Sequence, residues 1–245
     1  MGNLTGERAR LLAGNVAGFI SAGDSKEAIQ VLKPVLDGKC PFPKLDLLGS
    51  EIGRASVNET KIFFKFFDEL VDYNAMGGFV IAGSALVNFL PDNLDLVMEK
   101  SREYIIKGDK WYVCDIIGER SIGQALVDYF DETLPLLEKF LNDDNKWVKR
   151  SAGTAIHFFG KRVRNEPGKT KKLLDLIEPH IEEKQADAVK GIGWGLKTTG
   201  RYHPDLLTLF LVKQLKNKKK ISNLMMRKAT TYLSKEERLK IETCV

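Results

Sequence analysis

Apolar residues along the chain recur at intervals of three and four, and strict apolar–polar alternation over a strand length is hard to find. The pattern predicts an all-α protein. Asn58 and Glu59 open a run in which Ile62, Phe63, Phe66, Phe67 and Leu70 fall on one helix face, a stripe expected to be core. Pro91-Asp92-Asn93 separates AMGGFVIAGSALVNFL from LDLVMEKSREYII, and Lys107-Gly108-Asp109 ends the latter before Trp111. Asn142-Asp143-Asp144 precedes another helix, and Ser234-Lys235-Glu236-Glu237 has the Ser-x-x-Glu form of a capping box. The Pro-rich GKCPFPK, residues 38–44, reads as a kink or loop and not as a domain linker.

A repeat emerges when these breaks are superposed. GDKWYVCDIIG and DNKWVKRSAGT share Lys-Trp at 110–111 and 146–147, a step of 36 residues, and YNAMGGFVIAG aligns two steps earlier through Asn74 and Met76. Helix pairs at a period near 35–45 residues are the size of HEAT-type repeats, which stack into a curved solenoid with a concave groove. The expected architecture is one domain over residues 1–245: divergent N-terminal helices over 1–57, repeats over 58–233 and a tail over 234–245.

Composition narrows the class. Of the 245 residues 43% are hydrophobic and 29% charged, enough to bury a core and not the profile of a disordered chain. The longest apolar candidate, Phe79 to Leu90, stops at Pro91, short of the roughly 18–20 residues a membrane span needs, so no membrane association is expected. MGNLTGERARLLAGN is charged where a signal peptide needs an apolar core, and Gly2 lacks the hydroxyl residue of a myristoylation site, which points to the cytoplasm. Cys40, Cys114 and Cys244 are odd in number and far apart, as expected of reduced thiols. His157, His180 and His203 lack metal-ligand spacing, so no metal is expected.

Charge is unevenly distributed. Residues 1–144 carry 15 basic and 23 acidic residues, a net of −8, whereas residues 145–245 carry 23 and 10, a net of +13. The C-terminal part is therefore a candidate polyanion-binding surface, with solvated helix faces as the plainer reading. Its clusters include Lys146, Lys149 and Arg150; Lys161, Arg162 and Arg164; and Lys213 with Lys216 and Lys218 to Lys220.

Four residues at the starts of repeat helices stand out: Trp111, Asp115, Arg150 and Trp194. Trp111 and Asp115, at i and i+4, present an indole and a carboxylate on one helix face. By spacing alone, core tryptophans and a structural ion pair account for the same residues.

Trp-x-x-x-Asp at Trp111 to Asp115, Asp-Asn-Lys-Trp-x-x-Arg at Asp144 to Arg150, and KGIGWGLK at Lys190 to Lys197 followed by His203-Pro204-Asp205 together resemble the AlkD-type DNA alkylation-repair glycosylases, which are HEAT-like repeat proteins. The resemblance covers roughly residues 70 to 233, including Arg227 to Leu233, and loosens over Phe42 to Ser56, where only Gly49 or Gly53 with Arg54 echo the family pattern. It implies Asp115 as the catalytic carboxylate, Trp111 and Trp194 as substrate-packing tryptophans, and Arg150 as a phosphate contact, with Lys149 and Lys190 of the same motifs as further DNA-binding residues. It implies double-stranded DNA carrying 3-methyladenine or 7-methylguanine as substrate, hydrolysis of the N-glycosidic bond by a monomer, and no cofactor.

The residue types suit that chemistry. A cationic purine leaves neutral, so bond breaking builds positive charge on the sugar and asks for a carboxylate and π faces instead of a strong acid. The alternative is a non-catalytic HEAT-like module that binds DNA or a protein partner, suggested by the acidic first 144 residues. GIGWG does not follow a strand and is not a dinucleotide loop. Asp128, Asp131 and Glu132 fit an exposed helix end better than a metal site.

Overall fold

The computed structural model describes residues 4–243, and every regular element among them is helical, as the periodicity predicts. The chain divides into two compact units, one through Ser121 and the other from Ile122 onward.

The first unit comprises α1 (Gly6–Ser21), α2 (Ser25–Leu36), α3 (Phe42–Ala55), α4 (Thr60–Asp72), α5 (Met76–Leu86), α6 (Leu90–Gly108) and α7 (Trp111–Ile117). Thr5 and Asp24 start α1 and α2 by accepting from the Arg8 and Glu27 amides, the usual use of short polar side chains at helix starts. Alternate helices pack on one another: α1 on α3, α3 on α5 and α5 on α7 in one layer, α2 on α4 and α4 on α6 in the other. This two-layer order is compatible with a helical solenoid.

The aromatic stripe of α4 differs from its expected form. A 3₁₀ turn, Val57–Glu59, precedes the helix, which begins at Thr60 without a side-chain cap from Asn58. Ile62 is 41% exposed, whereas Phe63, Phe66, Phe67 and Leu70 are buried and Phe64 and Val71 join them. Phe64 sets its ring edge against Phe89, centroids 4.9 Å apart, so a neighbouring element claims a face that periodicity alone assigns to solvent.

Met76–Gly108 contains a window of mean hydropathy 1.2 and by length and composition alone would pass for a membrane span. Its apolar residues from Phe79 to Leu86 are buried in the unit, and Asn93, at φ −141°, breaks the helix where Pro91-Asp92-Asn93 was expected to. Gly38 to Pro41 of GKCPFPK lie in the link between α2 and α3, whereas Phe42, Pro43 and Lys44, expected in the same loop, form the first turn of α3, where a proline needs no amide partner.

The second unit comprises α8 (Gly123–Asp128), α9 (Phe130–Leu141), α10 (Lys146–Arg162), α11 (Pro167–Ile177), α12 (Ala186–Tyr202), α13 (Pro204–Lys216), α14 (Asn223–Ala229) and α15 (Lys235–Glu242). The same alternation holds: α8, α10, α12 and α14 pack in sequence, and so do α9, α11, α13 and α15. Asn145 caps α10 through the Trp147 and Val148 amides, and Ser234 and Glu237 form the expected capping box on α15. Asp131 and Glu132 lie in the first turn of α9, where Asp131 pairs with Lys172 at 2.7 Å.

In each unit one helix pair meets backbone to backbone. Gly49 and Gly53 of α3 lie against the backbone of Ile81 and Ala85 in α5, and Gly153 of α10 lies against Gly191 of α12, where an added Cβ would overlap main-chain atoms. These glycines are needed for close approach. Cys40 and Cys114 form no disulfide among the described residues; Cys244 lies outside them.

Candidate functional site

Helix α7 opens at Trp111 after an extended Lys110, and Asp115 follows one turn later. Trp111 is 58% exposed and Asp115 half-buried. Between them Cys114 is fully buried, its sulfur 3.2 Å from the Trp111 carbonyl and 3.4 Å from Asp115 Oδ1. The expected spacing therefore holds: an indole stands in solvent, with a carboxylate one turn behind it on the same helix. A π segment, Gly118–Ile122, follows directly, a local departure frequent at functional sites. The repeated Lys-Trp does not repeat its environment, because Trp147, second in α10, is only 8% exposed and carries Lys146 Nζ 4.6 Å over its ring.

In the second unit the basic residues fall into register. Arg150, Lys190 and Arg227 are each the fifth residue of their helices, α10, α12 and α14, as Asp115 is of α7. Gly191 lets the α12 backbone touch that of Arg150, which sets Lys190 next to it. Gly193, two residues on, leaves room for the Lys228 stem of α14. The glycines of KGIGWG, expected not to form a nucleotide loop, lie inside α12 and serve these contacts.

Burial, followed by the like charges of Lys197, Arg150, Arg227 and Lys190, holds Lys228 below the ordinary lysine range. Lys197, Arg227 and Lys228 have no ion-pair partner among the described residues. Three further cations are engaged. Lys149 pairs with Glu183 at 2.9 Å, the two side chains 18% and 11% exposed, and Lys190 and Lys146 share Asp187 at 3.0 and 3.7 Å. Of the basic residues expected on DNA, Lys149 and Lys190 are thus each engaged by a carboxylate within the fold, Lys149 by the more buried one. Lys197 and Lys228, which sequence reasoning did not single out, are open. Only their neighbours in space reveal this.

Glu183 also accepts the Lys184 and Gln185 amides at 2.8 Å. Burial alone would raise its pKa, but the Gln185 amide and the Lys149 ammonium outweigh burial and hold the carboxyl below the usual glutamate range. A depressed carboxylate pKa stabilises the fold above the unfolded value and loses that contribution as pH falls. Lys149→Met is expected to lower the melting temperature at pH 7, and the difference from wild type should shrink as pH drops below about 4.5. Thermal melts across that range check it.

Trp194 lies mid-helix in α12, not at a helix start, and is half-buried. Its ring stacks on His157 of α10, centroids 4.0 Å apart and planes 23° from parallel. His157 Nδ1 is 2.5 Å from Thr198 Oγ1, and Thr198 bonds back to the Trp194 carbonyl at 3.2 Å. One indole face is thereby held by an imidazole. The sequence reading missed His157 because its partner is 37 residues away, on the next helix of the layer.

The loosely matching segment from Phe42 also carries a built feature. Arg120 donates to both carboxylate oxygens of Asp46 at 2.5 and 3.1 Å, Ser84 donates to Asp46 at 2.8 Å, and the Arg120 guanidinium sits 5.7 Å over the Phe42 ring.

The structure thus brings Trp111 and Asp115 together on one helix, and Arg150, Lys190 and Trp194 together on two facing ones. A sequence model of the family described as DNA alkylation repair enzyme matches residues 42–233. The match begins at Phe42 and so includes the segment whose resemblance was loose. No curated protein and no solved structure matches the chain.

Proposed function

Because the chain belongs to the family of AlkD-type DNA alkylation repair enzymes, we propose that it is a DNA glycosylase acting on cationic alkylated purines, 3-methyladenine and 7-methylguanine, in duplex DNA. The observation that carries this reading is the exposed Trp111 with the half-buried Asp115 one helical turn behind it.

As the bond from C1′ to the base nitrogen lengthens, the electron pair goes to the base, which leaves neutral, and the sugar acquires oxocarbenium character. The Asp115 carboxylate opposes that charge and orients a water toward C1′, accepting the proton as the water adds. Trp111 offers its π face to the cationic sugar. Trp194, braced by His157, packs against the nucleotide, and Arg150 with Lys190 holds backbone phosphates. We read the helix pairs of each unit as degenerate HEAT-like repeats, with Arg150, Lys190 and Arg227 recurring at the fifth position of successive helices of the second unit, and the protein as a monomer.

The test is base release from methylated duplex DNA, with the bases separated chromatographically. Release of 7-methylguanine or 3-methyladenine by folded protein is expected. Salt-dependent DNA binding with no release would replace this reading with the non-catalytic one.

Lys228 makes a separate prediction. Its depressed pKa means the charged side chain costs stability at neutral pH, a cost relieved as pH rises through the folded value toward 10.5. Lys228→Met, which keeps the stem on Gly193, should melt higher than wild type at pH 7. Its affinity for undamaged duplex should fall, with the slope of log K against log salt smaller by about 0.9.

A further inference from the structure

At the far end of α12 cations and aromatic rings alternate. Arg164 lies 4.9 Å from the Tyr202 ring centre, and Arg201 lies 5.6 Å from Tyr202 and 5.2 Å from Tyr232, whose other cation is Lys197 at 5.1 Å. Arg164, Arg201 and Tyr232 are exposed. None of the three cations has a carboxylate partner among the described residues. Arg164 spends only its Nε donor, on the Lys161 carbonyl at 3.0 Å.

Elsewhere in the unit Lys172, Lys213 and Lys219 instead pair with Asp131, Glu178 and Glu182. A carboxylate neutralises a cation and occupies its N–H donors. A ring steadies the cation and leaves charge and donors available to an anion. Rings also lower the entropy of holding two long side chains in place. Arg201 lies eleven residues beyond Lys190 on the same helix, about 16 Å at a rise of 1.5 Å per residue. Along a duplex axis that is about five base pairs.

We propose that this ladder, Arg164–Tyr202–Arg201–Tyr232–Lys197, is a second phosphate-binding site for duplex DNA, contacting backbone displaced from the phosphates at Arg150 and Lys190 whatever the state of the base. It rests on the reading of the protein as one that binds DNA, and not on catalysis.

The test is the salt dependence of binding to an undamaged duplex by wild type, Arg164→Gln/Arg201→Gln and, as a control, Lys213→Gln, whose ammonium pairs with Glu178 at 2.7 Å. The double variant should lose two phosphate contacts, so that the affinity lost between about 50 and 200 mM salt is about tenfold smaller than for wild type. The control should not change. An unchanged slope in the folded double variant overturns the proposal, as does a fall in melting temperature alone, which would show that the ladder only complements the helix end. If the double variant unfolds, Arg164→Gln is read the same way with half the change. The expected smaller slope in the double variant, without base release by wild type, overturns the glycosylase reading alone, and absence of any duplex binding overturns both.

Discussion

Asp115→Asn should abolish detectable release of 7-methylguanine, a loss of at least about 10²–10³-fold, the scale for removing one preorganised electrostatic stabiliser. The substitution keeps the shape of the side chain and removes its charge. Asp115 is half-buried, one turn behind the exposed Trp111, where the carboxylate is partly shielded from water and its field is stronger than on an open surface. Binding to undamaged duplex should persist, because the open cations Lys197, Arg227 and Lys228 belong to other helices. Parallel measurement of base release and of binding separates the two. Equal release by variant and wild type would remove Asp115 from the chemistry.

The second large effect is structural. Gly191→Ala should destabilise the second unit by about 3 kcal/mol or more, at the upper end of the cost of overpacking. The new methyl group would land on the carbonyl and Cα of Arg150, and Gly153 faces Gly191 across the same contact. Backbone cannot move aside as a flexible side chain can. If α12 separates from α10, Arg150 loses its place beside Lys190 and Trp194 loses His157, so DNA binding should fail together with stability. Denaturant unfolding followed by Trp fluorescence measures the first, and salt titration of duplex binding the second. A variant as stable as wild type would show that the two helices tolerate a wider spacing.

The helical class, most breaks and the α7 pair were legible because each depends on local spacing. Periods of three and four, a Ser-x-x-Glu box and an i, i+4 indole and carboxylate are properties of a single helix, and the structure shows all of them. Ile62 was misassigned because burial depends on which element covers a face, and Phe89 covers the side that Phe64 presents.

Charge shows the same division more sharply. The +13 excess of residues 145–245 is visible in the chain, but which cations remain available is not, because an ion pair forms between residues distant in sequence. Lys149 meets Glu183 34 residues away, whereas Lys228 lies with its stem against Gly193, beside like charges and with no ion-pair partner among the described residues. KGIGWG likewise reads, taken alone, only as part of a repeat helix and of the family motif; only the approach of α10 makes Gly191 a packing requirement. The sequence by itself determined the helices, their order and the residues with chemical potential, since these follow from short-range spacing. The tertiary structure decided which of those residues are exposed, paired or stacked, since that depends on contacts between helices some 35 residues apart in the chain.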